Sequence, residues 1–155
     1  MRLLALLLVS TATVMAADVS GVIRFDGAQP KRPPLPLTPE SRKLYEGRPY
    51  PRDEVELVSA KGEIQNVFVY IYKGLPTEKT YTAPKKPALL DQQRSMFRPR
   101  IQGLFVGQDF AMRNSDPIIH NVRSLSQENR PFNIAQPAGT PDRLKRFSDK
   151  EGPIE

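Results

Sequence analysis

The stretch "GLFVGQDFAMRNSDPIIHNVRSLS", Gly103 to Ser126, decides how the chain is read. "RIQGLFVG" and "QDFAMRNSD" look like two strands that meet at Gly107. "IIHNVRSLS" reads as another strand. Ile118, His120 and Val122 alternate there against Ile119, Asn121 and Arg123, and a strand sends alternate side chains to opposite faces. His120 is the single histidine in the chain.

The same texture extends in both directions. Upstream, "VSGVIRF" (Val19–Phe25) alternates and stops at "DGAQP". The prolines of "PKRPPLPLTPE" exclude helix and central strand, so an extended polyproline-like strap is expected, and "SRKLYEGR" suits one or two helical turns. "VELVSA" and "IQNVFVYIYKG" bracket "KGE", a tight turn. The second run places Val67, Val69 and Ile71 on one face and Phe68, Tyr70 and Tyr72 on the other, which predicts a central strand covered on both sides. "LPTEKTYTAPKKPA" is a loop and "ALLDQ" a short strand. Downstream, "PFNIAQ" is a shorter strand and "TPDRLKRFSDKEGPIE" a polar strand, a turn and the start of something more.

No sustained 3.6-residue period and no internal repeat interrupts this pattern. Many short strands with turn signals at this spacing argue for an all-β chain over α+β, as a β-sandwich or barrel of Greek-key type. The chain halts at "GPIE", two residues into an apolar–polar alternation. The expectation is a domain lacking its last strand or strands, with a short edge strand ending there as the alternative.

"MRLLALLLVSTATVMAA" sets the compartment: a basic start at Arg2, an apolar run Leu3–Val9, and small residues at Ala16 and Ala17. This is the layout of a secretory signal peptide over residues 1–17, too short in its apolar part to span a bilayer, so a secreted or periplasmic protein without stable membrane insertion is expected. The mature domain is then 18–155, long enough for one core, and loss of Arg2 lowers the net charge from +6 to +5. A mildly basic surface favours acidic partners or is simply solvated. The Lys and Arg residues are scattered and no nucleic-acid motif appears, which argues against nucleic acid. The chain has no cysteine, which removes disulfides, a cysteine nucleophile and any thiolate ligand from these 155 residues.

Three chemistries were open to His120. Catalysis with Ser115, Asp116 and Ser124 is disfavoured, because along a strand positions four apart are about 13 Å distant, beyond hydrogen-bond reach. There is no G-x-S-x-G elbow, the acids show no pairing of the kind glycoside chemistry needs, and no enzyme is expected. Metal binding needs three or four ligands, whereas composition offers one imidazole; Met112 fits core filling better. On composition alone, a hydrogen-bonded structural histidine is the simpler reading.

Sequence context adds a resemblance. Val106, Gly107, Phe110, Asn114, Asp116, His120, Asn121 and Val122 are similar to the "V-G-x-x-F-x-x-x-N-x-D" strand and following "H-N-V" of the cupredoxins, the plastocyanin- and azurin-like blue-copper proteins. The small exported proteins of methylamine-utilization or plastocyanin-like type are the nearest in pattern. "SGVIRFDGAQP" and "IQNVFVYIYKG" resemble two upstream strands of that group, and "DQQRSMFRPRI" its "D-Q-x-x-C-x-F-x-P-H" segment, with Ser95 and Arg100 in place of Cys and His. The resemblance implies a Greek-key β-sandwich that carries electrons on copper. It makes His120 the first copper ligand and gives Asn121 the task of bracing the facing ligand loop. The family's Cys, second His and Met come from a loop near the C-terminus, and none is present here.

Two readings follow. The first is a truncated, exported electron-transfer protein of cupredoxin type, with copper as cofactor once the remaining ligands exist and an acidic redox protein as partner. The alternative is a metal-free envelope β-sandwich serving as a binding or scaffold module, in which Tyr70, Tyr72, Phe97 and Phe105 form core or a recognition surface.

Overall fold

The computed structural model describes residues 19–154; the leader read at 1–17 lies outside the described residues. Among these residues a single five-residue helix, α1 (Pro39–Lys43), precedes six strands: β1 (Ala88–Gln93), β2 (Met96–Arg98), β3 (Phe110–Asn114), β4 (His120–Ser124), β5 (Phe132–Gln136) and β6 (Arg143–Lys145). Helix α1 starts where local chemistry favours it. Thr38 caps it by accepting from the Ser41 N–H at 3.2 Å, and Pro39 occupies the first turn, where its missing donor costs nothing.

The strands form two sheets, which makes the regular structure all-β in character. One has the order β2-β1-β3-β6, with β1 and β3 parallel and the outer pairs antiparallel. The other is the antiparallel hairpin β4-β5, in which His120 faces Gln136 and Ser124 faces Phe132. Phe110 and Met112 from β3 pack on Val122 from β4, with Leu90, Phe132, Ile134 and Phe147 around them, so the core joins the two sheets. Met112 is fully buried, as its core-filling role requires. Beside it runs a buried amide ladder. Gln136 donates to the Met112 carbonyl at 2.9 Å and accepts from Gln92 at 2.8 Å.

The alternation in 118–123 is as expected: Ile118, His120 and Val122 turn inward, while Ile119, Asn121 and Arg123 are exposed. Three expected strands are absent. Val19–Phe25 makes only an isolated bridge, Arg24 to Glu63, and "RIQGLFVG" is irregular with a turn closed by Gln108 N–H on the Phe105 carbonyl. Val67–Tyr72, expected to be central, is an exposed irregular segment, Tyr72 at 84%. Its entry explains this. The Ser59–Gly62 turn pairs Val58 with Ile64 as expected, but Asn66 then takes φ +58°, a left-handed conformation that Asn tolerates and that turns the chain out of the ladder.

Candidate functional site

The site is built by two turns and one carboxylate. Asn114, last in β3, closes the β3–β4 connection on itself. Its carbonyl oxygen accepts the Asp116 N–H at 3.0 Å, and its amide donates to the carbonyls of Ile118 and Gln136, each at 2.8 Å. This is an Asx-type turn, the use for which a short amide side chain is suited. It brings the buried Asp116 back beneath the first residue of β4. There Asp116 Oδ2 lies 2.7 Å from His120 Nε2.

The same carboxylate holds the second turn. Its Oδ1 accepts the Arg94 N–H at 2.6 Å and its Oδ2 the Ser95 N–H at 2.7 Å. Arg94 and Ser95 are the two-residue link between β1 and β2, with φ values of +54° and +56°. Tight hairpins want this primed geometry, which Asn-Gly adopts cheaply; two ordinary residues there cost about 1–2 kcal/mol each. Capture of both N–H groups by one anion offsets that strain. Tyr45 adds a hydroxyl to the Arg94 carbonyl, and burial pushes that hydroxyl's pKa up. Ser95 Oγ donates to Ser41 Oγ at 2.9 Å, tying in α1.

These bonds fix the chemistry of the imidazole. An ionised carboxylate only accepts, so the hydrogen on the bond to Asp116 belongs to Nε2. In the neutral ring Nδ1 then carries the lone pair, and the ring's hydrogen bond among the described residues runs through Nε2. Fixing one ring nitrogen through a carboxylate so that the other can ligate is a recurrent device in metal sites.

Asp116 and His120 touch, against the expectation from strand spacing. Asp116 belongs to the turn rather than to a continuous strand, so a spacing of four brings the two side chains together. No nucleophile joins them. Ser115 Oγ donates to Asp91 at 2.9 Å, Ser95 Oγ to Ser41 and Ser126 Oγ to Glu151; no hydroxyl is hydrogen-bonded to His120 among the described residues. The pair is a clamp.

Among the described residues no group of three or more His, Cys, Asp or Glu could hold a metal ion. One imidazole with a carboxylate behind it does not make a closed copper centre, so the donors present do not fit a complete site. Asn121 points away from His120, on the exposed face, where its amide donates to Asn133 Oδ1 at 3.0 Å. The Arg94–Ser95 turn was missed as a structural partner of His120. The signal was faint: two polar residues between "ALLDQQ" and "MFR".

Compared with protein-family models, curated proteins and solved structures, the chain matches none. No helix of the described residues is long and apolar enough to cross a membrane.

Proposed function

We propose that this chain is the histidine-bearing part of an exported, cupredoxin-like electron-transfer protein, in which His120 gives one copper ligand through Nδ1. The observation that carries the reading is the carboxylate clamp: Asp116 takes the Nε2 hydrogen at 2.7 Å while two backbone donors hold the carboxylate still. A ligand fixed in this way keeps its orientation when the metal changes valence, which is what low reorganisation demands. The wiring is in keeping with a Greek-key arrangement. The chain leaves the first sheet after β3, makes the β4-β5 hairpin, and returns to pair β6 with β3. The remaining ligands, a thiolate above all, would come from outside these 155 residues, and Asn121 would brace that segment. An acidic redox protein is the partner the basic surface suits.

The second reading, a metal-free β module of the envelope, is favoured by one observation: the clamp also holds the strained Arg94–Ser95 turn, a structural task sufficient to explain it. Copper(II) added to the isotope-labelled chain separates the two. On the ligand reading, weak binding broadens the resonances of His120 and its neighbours first, and His120→Ala abolishes that effect. Broadening spread over surface carboxylates and unchanged by His120→Ala would leave the metal-free module.

A further inference from the structure

At the far end of β4-β5 from His120, the connecting loop makes a carboxylate receptor. The Glu151 side chain accepts from the Ser126 hydroxyl and the Gln127 N–H, and from Asn129 through its backbone N–H at 3.3 Å and its amide at 3.0 Å. Asn129 is braced in turn. Its carbonyl oxygen accepts from the N–H groups of Ser148 and Asp149, each at 2.9 Å, and it is buried with Ser126. Burial raises the pKa of Glu151, but these donors outweigh it and bring the value down to about 2.

Two surface depressions, of about 420 and 570 Å³, meet at this loop and share Pro131, Phe132 and Asn133. Arg123, Arg130, Lys145 and Arg146 line them, and no carboxylate does. Arg146 is engaged by Asp109, but the side chains of Arg123 and Arg130 have no ion-pair partner among the described residues. Lys145 lies 5.4 Å from the centre of the Phe132 ring.

We infer that this groove is a docking site for an acidic peptide segment of a partner protein, whose carboxylates pair with Arg123, Arg130 and Lys145 and compete with Glu151 for the loop. A peptide fits better than a polyphosphate. The receptor grips the two oxygens of a planar carboxylate separately, Oε1 by Gln127 and Oε2 by Ser126 and Asn129. Pro131 and Phe132 supply apolar contact between the cations, which a polypeptide can use. None of this requires copper, because His120 lies four residues, about 13 Å, along β4 from Ser124.

The test is fluorescence anisotropy of a labelled peptide rich in Glu and Asp, at roughly 20 mM salt where charge contacts are little screened. The acidic peptide is expected to bind and its Gln/Asn analogue not to. The triple change Arg123→Glu, Arg130→Glu, Lys145→Glu should weaken binding by at least about tenfold. Lys61→Glu, Lys85→Glu, Lys86→Glu together make the same charge change and should alter it by no more than about twofold to threefold. Glu151→Gln should tighten binding. Equal losses in the two triple variants would reduce the effect to net charge and overturn the site. A single-stranded oligonucleotide bound as well as the peptide and lost with the same groove variant would replace it with a general polyanion surface. Amide shifts of Gln127 and Asn129 during peptide titration of the unmodified chain give an answer free of folding defects, and their absence would also overturn it.

Discussion

Replacing Asp116 by Ala tests whether one carboxylate organises the region around His120. The substitution leaves three donors without their acceptor: the N–H groups of Arg94 and Ser95 and the His120 Nε2–H, now at 2.6, 2.7 and 2.7 Å. A buried donor left unmade costs about 1–3 kcal/mol. Arg94 is exposed and Ser95 half-buried, so water recovers part of the loss, and the total should be roughly 2–4 kcal/mol. That is a large share of the roughly 5–15 kcal/mol by which domains are stable. Urea unfolding followed by circular dichroism measures it. Asp116→Asn should fall between wild type and Ala, because an amide keeps one acceptor and sets an NH₂ against a donor. In a double-mutant cycle with His120→Ala, the two residues should couple by about 0.5–3 kcal/mol. Nitrogen NMR of the His120 ring should show loss of the Nε2–H preference in Asp116→Ala. A cost below about 1 kcal/mol, or strict additivity with His120→Ala, would refute the clamp and with it the orientation of Nδ1.

Met112→Ala removes the fully buried centre of a small core and should cost about 2–5 kcal/mol in the same denaturation assay. Gln136→Leu leaves the Met112 carbonyl without its donor and the Gln92 amide without its acceptor, so it should destabilise by about 2–4 kcal/mol although it adds apolar surface. The Glu151 clasp carries a pH signature. Its folded pKa, about 2, lies below the ordinary 4.5, so its stabilisation is present above 4.5 and is lost as pH falls from there towards 2. Protection of the Ser148 and Asp149 amides, taken relative to unstructured-chain exchange at the same pH, should fall through that window in wild type, and Glu151→Gln should show low protection already at neutral pH.

What the sequence made legible was what neighbours decide. In β4 alternation was enough, because its inward face brings Val122 against Met112, and a slip of one residue would bury Arg123 instead. Where a strand depends on a partner edge, pattern misled. Val67–Tyr72 has high β propensity, yet that propensity measures fit to a pleated, half-buried surface and creates no neighbour to supply one. The left-handed Asn66 was the readable warning. The helical turn came out as expected because it rests on local rules: a proline in the first turn and a Thr38 cap.

The candidate site was half legible for a related reason. His120 and Asp116 stand out by type, but a strand ruler applied across "NSDP" put them too far apart. The error lay in treating Asn114–Pro117 as extended. Asn114 spends both ends of its amide on closing that turn, so the four-residue spacing becomes a contact of 2.7 Å. No periodicity could foresee that the Arg94–Ser95 link, about twenty residues upstream, would need the same carboxylate. The need arises from parallel pairing of β1 with β3. That register sets Gln92 beside Asn114, and so brings the end of the β1–β2 hairpin over Asp116. The strained turn and the oriented imidazole are therefore one feature: the anion that makes the hairpin tolerable also decides which nitrogen of the neutral His120 ring keeps its lone pair.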